Sequence, residues 1–122
     1  MAEIMVVDDA AFMRVSLIKI IQKAGHRIID EAENGQEAVA KYKEIEPDLV
    51  TMDITMPKMD GLEAVKKITE YDSNANIIMC SAMGQKALVI ETIDAGARDF
   101  ILKPFNERFV LKAINRTLEN DN

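Results

Sequence analysis

Short apolar runs alternate with longer segments of helical periodicity five times along the chain. Each run has four to six residues and is rich in Ile, Val, Leu or Met, which is typical of strands buried on both faces of a sheet. The runs cover residues 4–7, 27–32, 49–52, 77–80 and 99–102. The second run also alternates apolar and acidic side chains, which favours a position at the edge of the sheet.

The segments between the runs place apolar residues at spacings of three and four, as amphipathic helices do. Gly25 is placed to end the first helix, and Pro47 stops the second. The predicted helices begin near Ala10, Asn34, Asp60, Gln85 and Asn106, and the last is expected to fray over residues 119–122. Their predicted buried positions include Leu17, Ile21, Ala38, Tyr42, Ile45, Leu62, Val65, Ile68, Val110, Ala113, Ile114 and Leu118.

Five consecutive βα units predict a parallel sheet with helices on both faces. For 122 residues, the expected fold class is α/β, a doubly wound five-stranded parallel sheet of flavodoxin-like order 2-1-3-4-5. The sequence contains no internal repeat, linker or low-complexity tract. It therefore predicts a single domain over residues 1–122, without an output domain.

Composition and charge limit the possible partners and cellular location of the protein. The net charge of −6 argues against a nucleic-acid or anionic membrane surface, because either partner requires clustered Lys and Arg. Cys80 is the one cysteine, so no intrachain disulfide can form, as expected in a reducing cytosol, and its thiol is expected to be buried. With no signal-peptide pattern and no apolar run of about 20 residues, a soluble cytoplasmic protein is expected.

Polar side chains follow four of the predicted strands. Asp8 and Asp9 follow the first, Asp53 the third, Ser81 the fourth and Lys103 the fifth. In open α/β sheets, ligands bind beyond the carboxyl ends of the strands. These five side chains are therefore expected to meet at one edge of the sheet.

The chemistry of this set favours phosphoryl transfer. Three carboxylates in one place repel each other unless a cation joins them, and Mg²⁺ accepts carboxylate and phosphate oxygens as ligands. A carboxylate can attack phosphorus to form an acyl phosphate, whose oxygens a metal, a lysine and a hydroxyl would stabilise. Asp53 lies between the others and is the predicted nucleophile, while Asp8 and Asp9 would hold the cation.

Each residue alone also has an ordinary structural explanation. Asp9 could be only the N-cap of the first helix, and Asp53 only the start of a loop. Ser81 could be a turn residue, and Lys103 a solvated charge. The functional prediction rests on their combination at one edge. His26, the single histidine, precedes the second strand at the opposite edge and is expected to be a solvated loop residue.

Several short motifs together resemble the receiver domain of two-component response regulators. They are Asp8-Asp9, Met52-Asp53, Met56-Pro57-x-Met59-Asp60-Gly61, Ser81-Ala82 and Lys103-Pro104-Phe105. They extend from the first strand to the last helix, so the resemblance covers essentially the whole chain. The segments 8–14 and 80–85 are most similar to stand-alone chemotaxis regulators of the CheY type.

The resemblance implies that a histidine kinase phosphorylates Asp53 in a Mg²⁺-dependent reaction. Asp9, Asp53 and the backbone carbonyl of Thr55 would bind Mg²⁺ directly, and Asp8 mainly through water. Ser81 and Lys103 would each contact a phosphoryl oxygen. The protein would catalyse its own phosphorylation and dephosphorylation as a switch, and would not be an enzyme acting on separate substrates.

The resemblance also implies a cis bond between Lys103 and Pro104 and a switch through Ser81 and Phe100. Phe100, where many chemotaxis members have tyrosine, would turn inward as Ser81 moves toward the phosphoryl group. The surface altered would be the fourth helix, fifth strand and fifth helix, around Lys86, Phe100 and Lys112.

Thr55 and Met83 flank the approach of a hydrolytic water, at positions where the family tunes phosphate lifetime. Neither can orient water as a carboxamide would, so slow self-dephosphorylation is predicted.

The expected partners are a histidine kinase, a downstream motor switch or adaptor protein, and a phosphatase, with the protein itself a monomer. One alternative is a phosphorelay intermediate that passes its phosphate to another histidine domain. A haloacid-dehalogenase-like phosphatase is disfavoured, because Thr55 stands where that family has a second acid. A flavodoxin is disfavoured because Asp8 and Asp9 would repel phosphate at the first helix.

Overall fold

The computed structural model describes residues 1–119, and its five strands form one parallel sheet. The strands are β1 (Glu3–Val7), β2 (Arg27–Ala32), β3 (Leu49–Asp53), β4 (Ile77–Ser81) and β5 (Asp99–Leu102). Their order is β2-β1-β3-β4-β5. The predicted fold class, strand order and edge position of the second strand are confirmed. Asp53 and Ser81, predicted to follow their strands, are the last residues of β3 and β4.

Five helices alternate with these strands. They are α1 (Ala11–Lys23), α2 (Gly35–Ile45), α3 (Gly61–Tyr71), α4 (Lys86–Ala95) and α5 (Glu107–Glu119). The predicted caps are present: Asn34 Oδ1 accepts the N–H of Glu37, and Asp60 Oδ1 that of Glu63, both at 2.9 Å. Of the segment predicted to fray, residues 120–122 lie outside the described part of the chain.

Alternating strand positions divide the core into two layers. In β1, Ile4 and Val6 face the layer formed with α1 and α5, while Met5 and Val7 face the layer formed with α2, α3 and α4. This is the period-2 pattern of a strand covered on both sides. The helices named here therefore hold the sheet from both faces and leave the carboxyl ends of its strands at one edge.

Some predicted buried positions are only partly buried. Ile45, Leu62 and Leu118 lie at the margins of the helix–sheet contacts and keep part of their surface in solvent. His26 departs from its prediction in the opposite direction. It is partly buried, and its Nδ1 accepts the N–H of Ala2 at 3.0 Å. Burial, and then the charge of the nearby amino terminus, lower the pKa of His26.

Within residues 1–119, every helix is too short or too polar to cross a lipid bilayer.

Candidate functional site

Three carboxylates meet at the carboxyl edge of the two central strands. Asp8 and Asp9 follow β1, and Asp53 ends the neighbouring strand β3. One oxygen from each of the three lies within 4.8 Å of the others. Asp8 and Asp53 are buried and Asp9 is exposed. The alternative in which Asp9 caps α1 is wrong, because the N-cap residue is Ala10, which makes no side-chain cap hydrogen bond.

Lys103 lies against the two buried carboxylates. Its Nζ is 2.9 Å from Oδ2 of Asp8 and 3.2 Å from Oδ1 of Asp53. The peptide bond between Lys103 and Pro104 is cis, as the resemblance implied. The Lys103 N–H donates to the carbonyl oxygen of Ser81 at 2.8 Å, which joins the ends of β4 and β5. Lys103 is therefore part of the site and not a solvated surface charge.

The charges in this cluster shift the pKa of its members. Burial raises the pKa of Asp53 to about 6, with a further upward contribution from the Asp8 carboxylate, while Lys103 partly opposes the rise. Burial alone would lower the pKa of Lys103, but its hydrogen bond to Asp8 and the charges of both carboxylates outweigh that effect and raise it. One lysine thus leaves part of the negative charge of the cluster uncompensated.

The donor set fits a hard divalent cation. All three clustered side chains offer carboxylate oxygens, which Mg²⁺ and Ca²⁺ prefer over nitrogen or sulfur. The raised pKa of Asp53 shows that added positive charge would stabilise its ionised form.

Ser81 lies deeper than the carboxylates at the end of β4. Its side chain is buried, and its Oγ has no hydrogen-bond partner among the described residues. A buried hydroxyl without a partner is uncommon and costs free energy. Such a group gains stability when an acceptor reaches it.

The loop between β3 and α3 is held against the back of Asp53. The N–H of Gly61 donates to the carbonyl oxygen of Ile54 at 2.7 Å. A Cβ atom at Gly61 would lie 2.2 Å from the backbone oxygen of Asp53. The first residue of α3 must therefore be glycine for the strand, loop and helix to meet this closely.

Gln85 contributes a contact that the sequence did not reveal. Its Oε1 accepts the N–H of Ala82 at 2.8 Å, and its Nε2 donates to Oγ1 of Thr55 at 3.2 Å. Thr55 and Gln85 are 30 positions apart, so no local pattern indicates this pairing. Thr55 is exposed, and Met83 is 85% exposed. The two predicted lifetime-tuning residues are therefore exposed, Thr55 in the loop after β3 and Met83 in the loop after β4.

The predicted partner residues share one face of the molecule. Phe100, 44% exposed, lines a cavity of about 390 Å³ together with Ser81 and Lys86. It also lines a second cavity, of about 200 Å³, together with Lys112. Phe100 thus lies between α4 and α5 and connects the buried serine of the site with the outer surface.

Cys80, predicted to be buried, is buried next to the site. It pairs in register with Asp53 on one side and Ile101 on the other. Burial raises the pKa of its thiol well above the ordinary value. This cysteine is part of the core.

The fold and the site agree with one known class of protein. The family model described as the response regulator receiver domain matches residues 4–115. The chain therefore belongs to the family of response regulator receiver domains. Within that family it is a receiver domain of the type found in CheY chemotaxis response regulators.

The similarity to individual chemotaxis proteins extends over nearly the whole chain. The chemotaxis protein CheY of Thermotoga maritima is 60% identical over 113 residues, covering 93% of this chain and 94% of that protein. The chemotaxis protein CheY of Bacillus subtilis is 61% identical over 115 residues, covering 94% of this chain and 96% of that protein.

Among solved structures, the CheX–CheY–BeF₃–Mg²⁺ complex of Borrelia burgdorferi contains a similar chain. It superposes with a TM-score of 0.89 at 43% identity, covering 93% of this chain and 87% of that one.

Proposed function

We propose that this protein is a phosphorylation switch whose phosphoacceptor is Asp53. The observation that carries the proposal is the convergence of Asp8, Asp9 and Lys103 on the Asp53 carboxylate. Because the pKa of Asp53 is about 6, its carboxylate is ionised and able to act as a nucleophile at neutral pH.

In the proposed reaction, one carboxylate oxygen of Asp53 attacks the phosphorus of a phosphohistidine on the kinase. The new O–P bond forms as the P–N bond breaks, and the imidazole nitrogen keeps the electron pair. Lys103, already 3.2 Å from Asp53, would pair with one phosphoryl oxygen, and the Ser81 hydroxyl would donate to another.

Asp9, Asp53 and the Thr55 carbonyl are the proposed Mg²⁺ ligands, with Asp8 contributing mainly through water. Bound Mg²⁺ would supply positive charge where the phosphoryl oxygens gather. The similar Borrelia burgdorferi chain, whose complex contains BeF₃ and Mg²⁺, supports this choice of cation.

The proposed output is a change on the face around Lys86, Phe100 and Lys112. Ser81 would move toward the phosphoryl group, and Phe100 would turn into the adjoining cavity of about 390 Å³. Two packings of one aromatic side chain provide the bistable element that such a switch requires.

The proposed partners are a histidine kinase, a motor switch or adaptor protein, and a phosphatase. A CheX-like protein is one candidate, since the Borrelia burgdorferi complex contains CheX. The relatives named above are chemotaxis proteins, which does not favour the phosphorelay alternative. The monomeric state, cytoplasmic location, self-catalysis and slow self-dephosphorylation stay predictions.

Radiolabel transfer from acetyl phosphate tests the proposal. Wild-type protein should incorporate label with Mg²⁺ and lose incorporation in EDTA, and Asp53→Asn should incorporate none. Asp94→Asn, an exposed aspartate change on α4, is the matched control and should label as wild type does. Labelling that persists in Asp53→Asn would contradict the assignment of the phosphoacceptor.

A further inference from the structure

We infer that Gln85 is a positioning residue that holds the site in its unphosphorylated conformation by bridging the two loops on either side of Asp53. The inference rests on the proposed function and adds a residue that controls how readily the site accepts a phosphoryl group.

The bridge uses both ends of one carboxamide. Oε1 of Gln85 accepts from the backbone of Ala82 at 2.8 Å, and Nε2 donates to the Thr55 hydroxyl at 3.2 Å. Ala82 directly follows Ser81 at the end of β4, and Thr55 lies two positions after Asp53. Gln85 therefore fastens the loop after β4 to the loop after β3 across the mouth of the site.

A phosphoryl group on Asp53 would compete with this bridge. Its oxygens need donors. Asp53 pairs in register with Cys80, and the next donors along the chain are the Ser81 hydroxyl, which has no partner among the described residues, and the Ala82 N–H. In this structure the Ala82 N–H donates its hydrogen bond to Oε1 of Gln85. The amide becomes available when Gln85 releases it.

The bridge describes the conformation before phosphorylation, in which both ends of the Gln85 carboxamide contact protein groups. Loss of the bridge is therefore expected to change entry into the phosphorylated state. The decay rate of the acyl phosphate measures separately whether the released side chain orients a hydrolytic water.

The test compares Gln85→Met with wild type in the full chain, using beryllofluoride with Mg²⁺ as the phosphoryl mimic. Methionine keeps the length of the side chain and removes both hydrogen bonds. Because a hydrogen bond typically contributes about as much as a three- to tenfold change in an equilibrium constant, beryllofluoride should bind roughly three to ten times more tightly. Labelling by acetyl phosphate should accelerate by a similar factor.

Gln22→Met is the matched control, because Gln22 is an exposed glutamine on α1. It should leave the affinity for beryllofluoride unchanged. Thr55→Val removes the second partner of the bridge with little change in shape. In a double-mutant cycle, Gln85→Met and Thr55→Val should be strongly non-additive for beryllofluoride affinity, because each breaks the same contact.

Two outcomes would overturn the inference: unchanged or weaker beryllofluoride binding by Gln85→Met, or an effect confined to acyl-phosphate decay. A merely structural role would change thermal stability without changing the affinity for beryllofluoride. If wild type and Gln22→Met both fail to label on Asp53, the proposed function itself is wrong, and this inference falls with it.

Discussion

Lys103 shares its single positive charge between two buried carboxylates. Its Nζ contacts both Asp8 and Asp53, so neither acid has a cation of its own. A carboxylate paired with a cation usually stabilises a fold, because the cation lowers its pKa. Here burial and the Asp8 carboxylate outweigh the effect of Lys103, and the pKa of Asp53 rises. The ionised Asp53 carboxylate is therefore expected to reduce the stability of the folded protein at neutral pH.

Asp53→Asn should consequently stabilise the protein in a pH-dependent way. The pKa of Asp53 is raised from 3.8 to about 6 on folding, so the folded state binds more protons between these values. The wild-type free energy of unfolding should fall as pH rises through that interval, and the effect is fully present above pH 6. In EDTA at pH 7.5, we expect Asp53→Asn to be more stable by about 1–2 kcal/mol, measured by urea unfolding.

The difference between the two proteins should shrink as pH falls toward 3.8 and approach zero well below that value, where Asp53 is protonated in both the folded and unfolded states. The exposed change Asp94→Asn controls for general effects of removing one negative charge. An Asp53→Asn protein that is less stable than wild type at pH 7.5 would contradict the assigned direction of the pKa shift.

The positions of individual side chains could be predicted from the sequence where the position of a residue along a strand determines where it lies in the sheet. The ends of parallel strands share an edge, so the sequence predicts that Asp8, Asp53 and Lys103 lie together. The position of Gln85 could not be predicted in this way, because its partner Thr55 is distant in sequence and the contact depends on how two loops bend. His26 was misjudged for the same reason, since its partner is the backbone of Ala2.

At the scale of elements, the join between β3 and α3 constrains the backbone at Asp53, the proposed phosphoacceptor. Gly61 allows the helix to begin against the backbone of Asp53, where a Cβ would lie only 2.2 Å from the carbonyl oxygen. Backbone atoms cannot move aside as a flexible side chain can. A larger residue must therefore displace the helix, the loop or the end of the strand.

Gly61→Ala should destabilise the protein by about 2–4 kcal/mol in urea unfolding, because it forces a backbone displacement in a packed region. Gly25→Ala is the matched control: a Cβ there meets nothing within 4 Å, although φ is +92°. At Gly25 only the strain of a left-handed backbone should lower the free energy of unfolding, by about 1–2 kcal/mol. Equal losses from the two substitutions would argue against the close approach at Gly61.

The thiol of Cys80 in strand β4 can report when that strand opens. Cys80 is buried between Asp53 and Ile101, and burial raises the pKa of its thiol. Since the thiolate is the reactive form, a disulfide reagent such as Ellman's reagent should modify Cys80 only when β4 opens. The labelling rate should rise steeply across the urea unfolding transition. Fast stoichiometric labelling of the native protein would contradict this burial.

Helix ends were easier to predict than helix faces. The caps at Asn34 and Asp60 depend on residues three positions away, so the sequence contains all the necessary information. Burial of Ile45 and Leu62 depends on how far each neighbouring helix extends over them. For α1, α2, α3 and α5, the apolar stripe identified the correct side of the helix but not the width that its neighbours cover.

For the molecule as a whole, the order of the five strands determines where the clustered carboxylates lie. The repeated alternation of strand and helix was enough to predict the sheet and its carboxyl edge. It was not enough to predict the bonds between the loops at that edge, since short irregular segments have no periodicity to read. The sequence therefore predicts the fold in more detail than it predicts the hydrogen bonds between the loops around the site.

Mg²⁺ should raise the thermal stability of the whole domain, because a cation that binds the folded carboxylate cluster and not the unfolded chain shifts the equilibrium toward folding. At about 100 times its Kd, it should contribute about 2.7 kcal/mol, or several degrees in Tm by scanning calorimetry. Asp9→Asn should lose most of this gain, and Asp94→Asn should keep it. An equal gain from KCl at matched ionic strength would argue against a specific site.

The separation between the strand ends and the outer faces of the helices has an evolutionary consequence. The proposed chemistry at the sheet edge depends on the buried Asp53 and the partly buried Lys103, while Phe12, Ile90 and Phe109 are exposed elsewhere. After gene duplication, such outward positions are free to diverge while the residues of the proposed site are retained. Parallel pathways within one cell can thus become insulated from cross-talk by surface substitutions alone, and an engineer could rewire this protein by the same route.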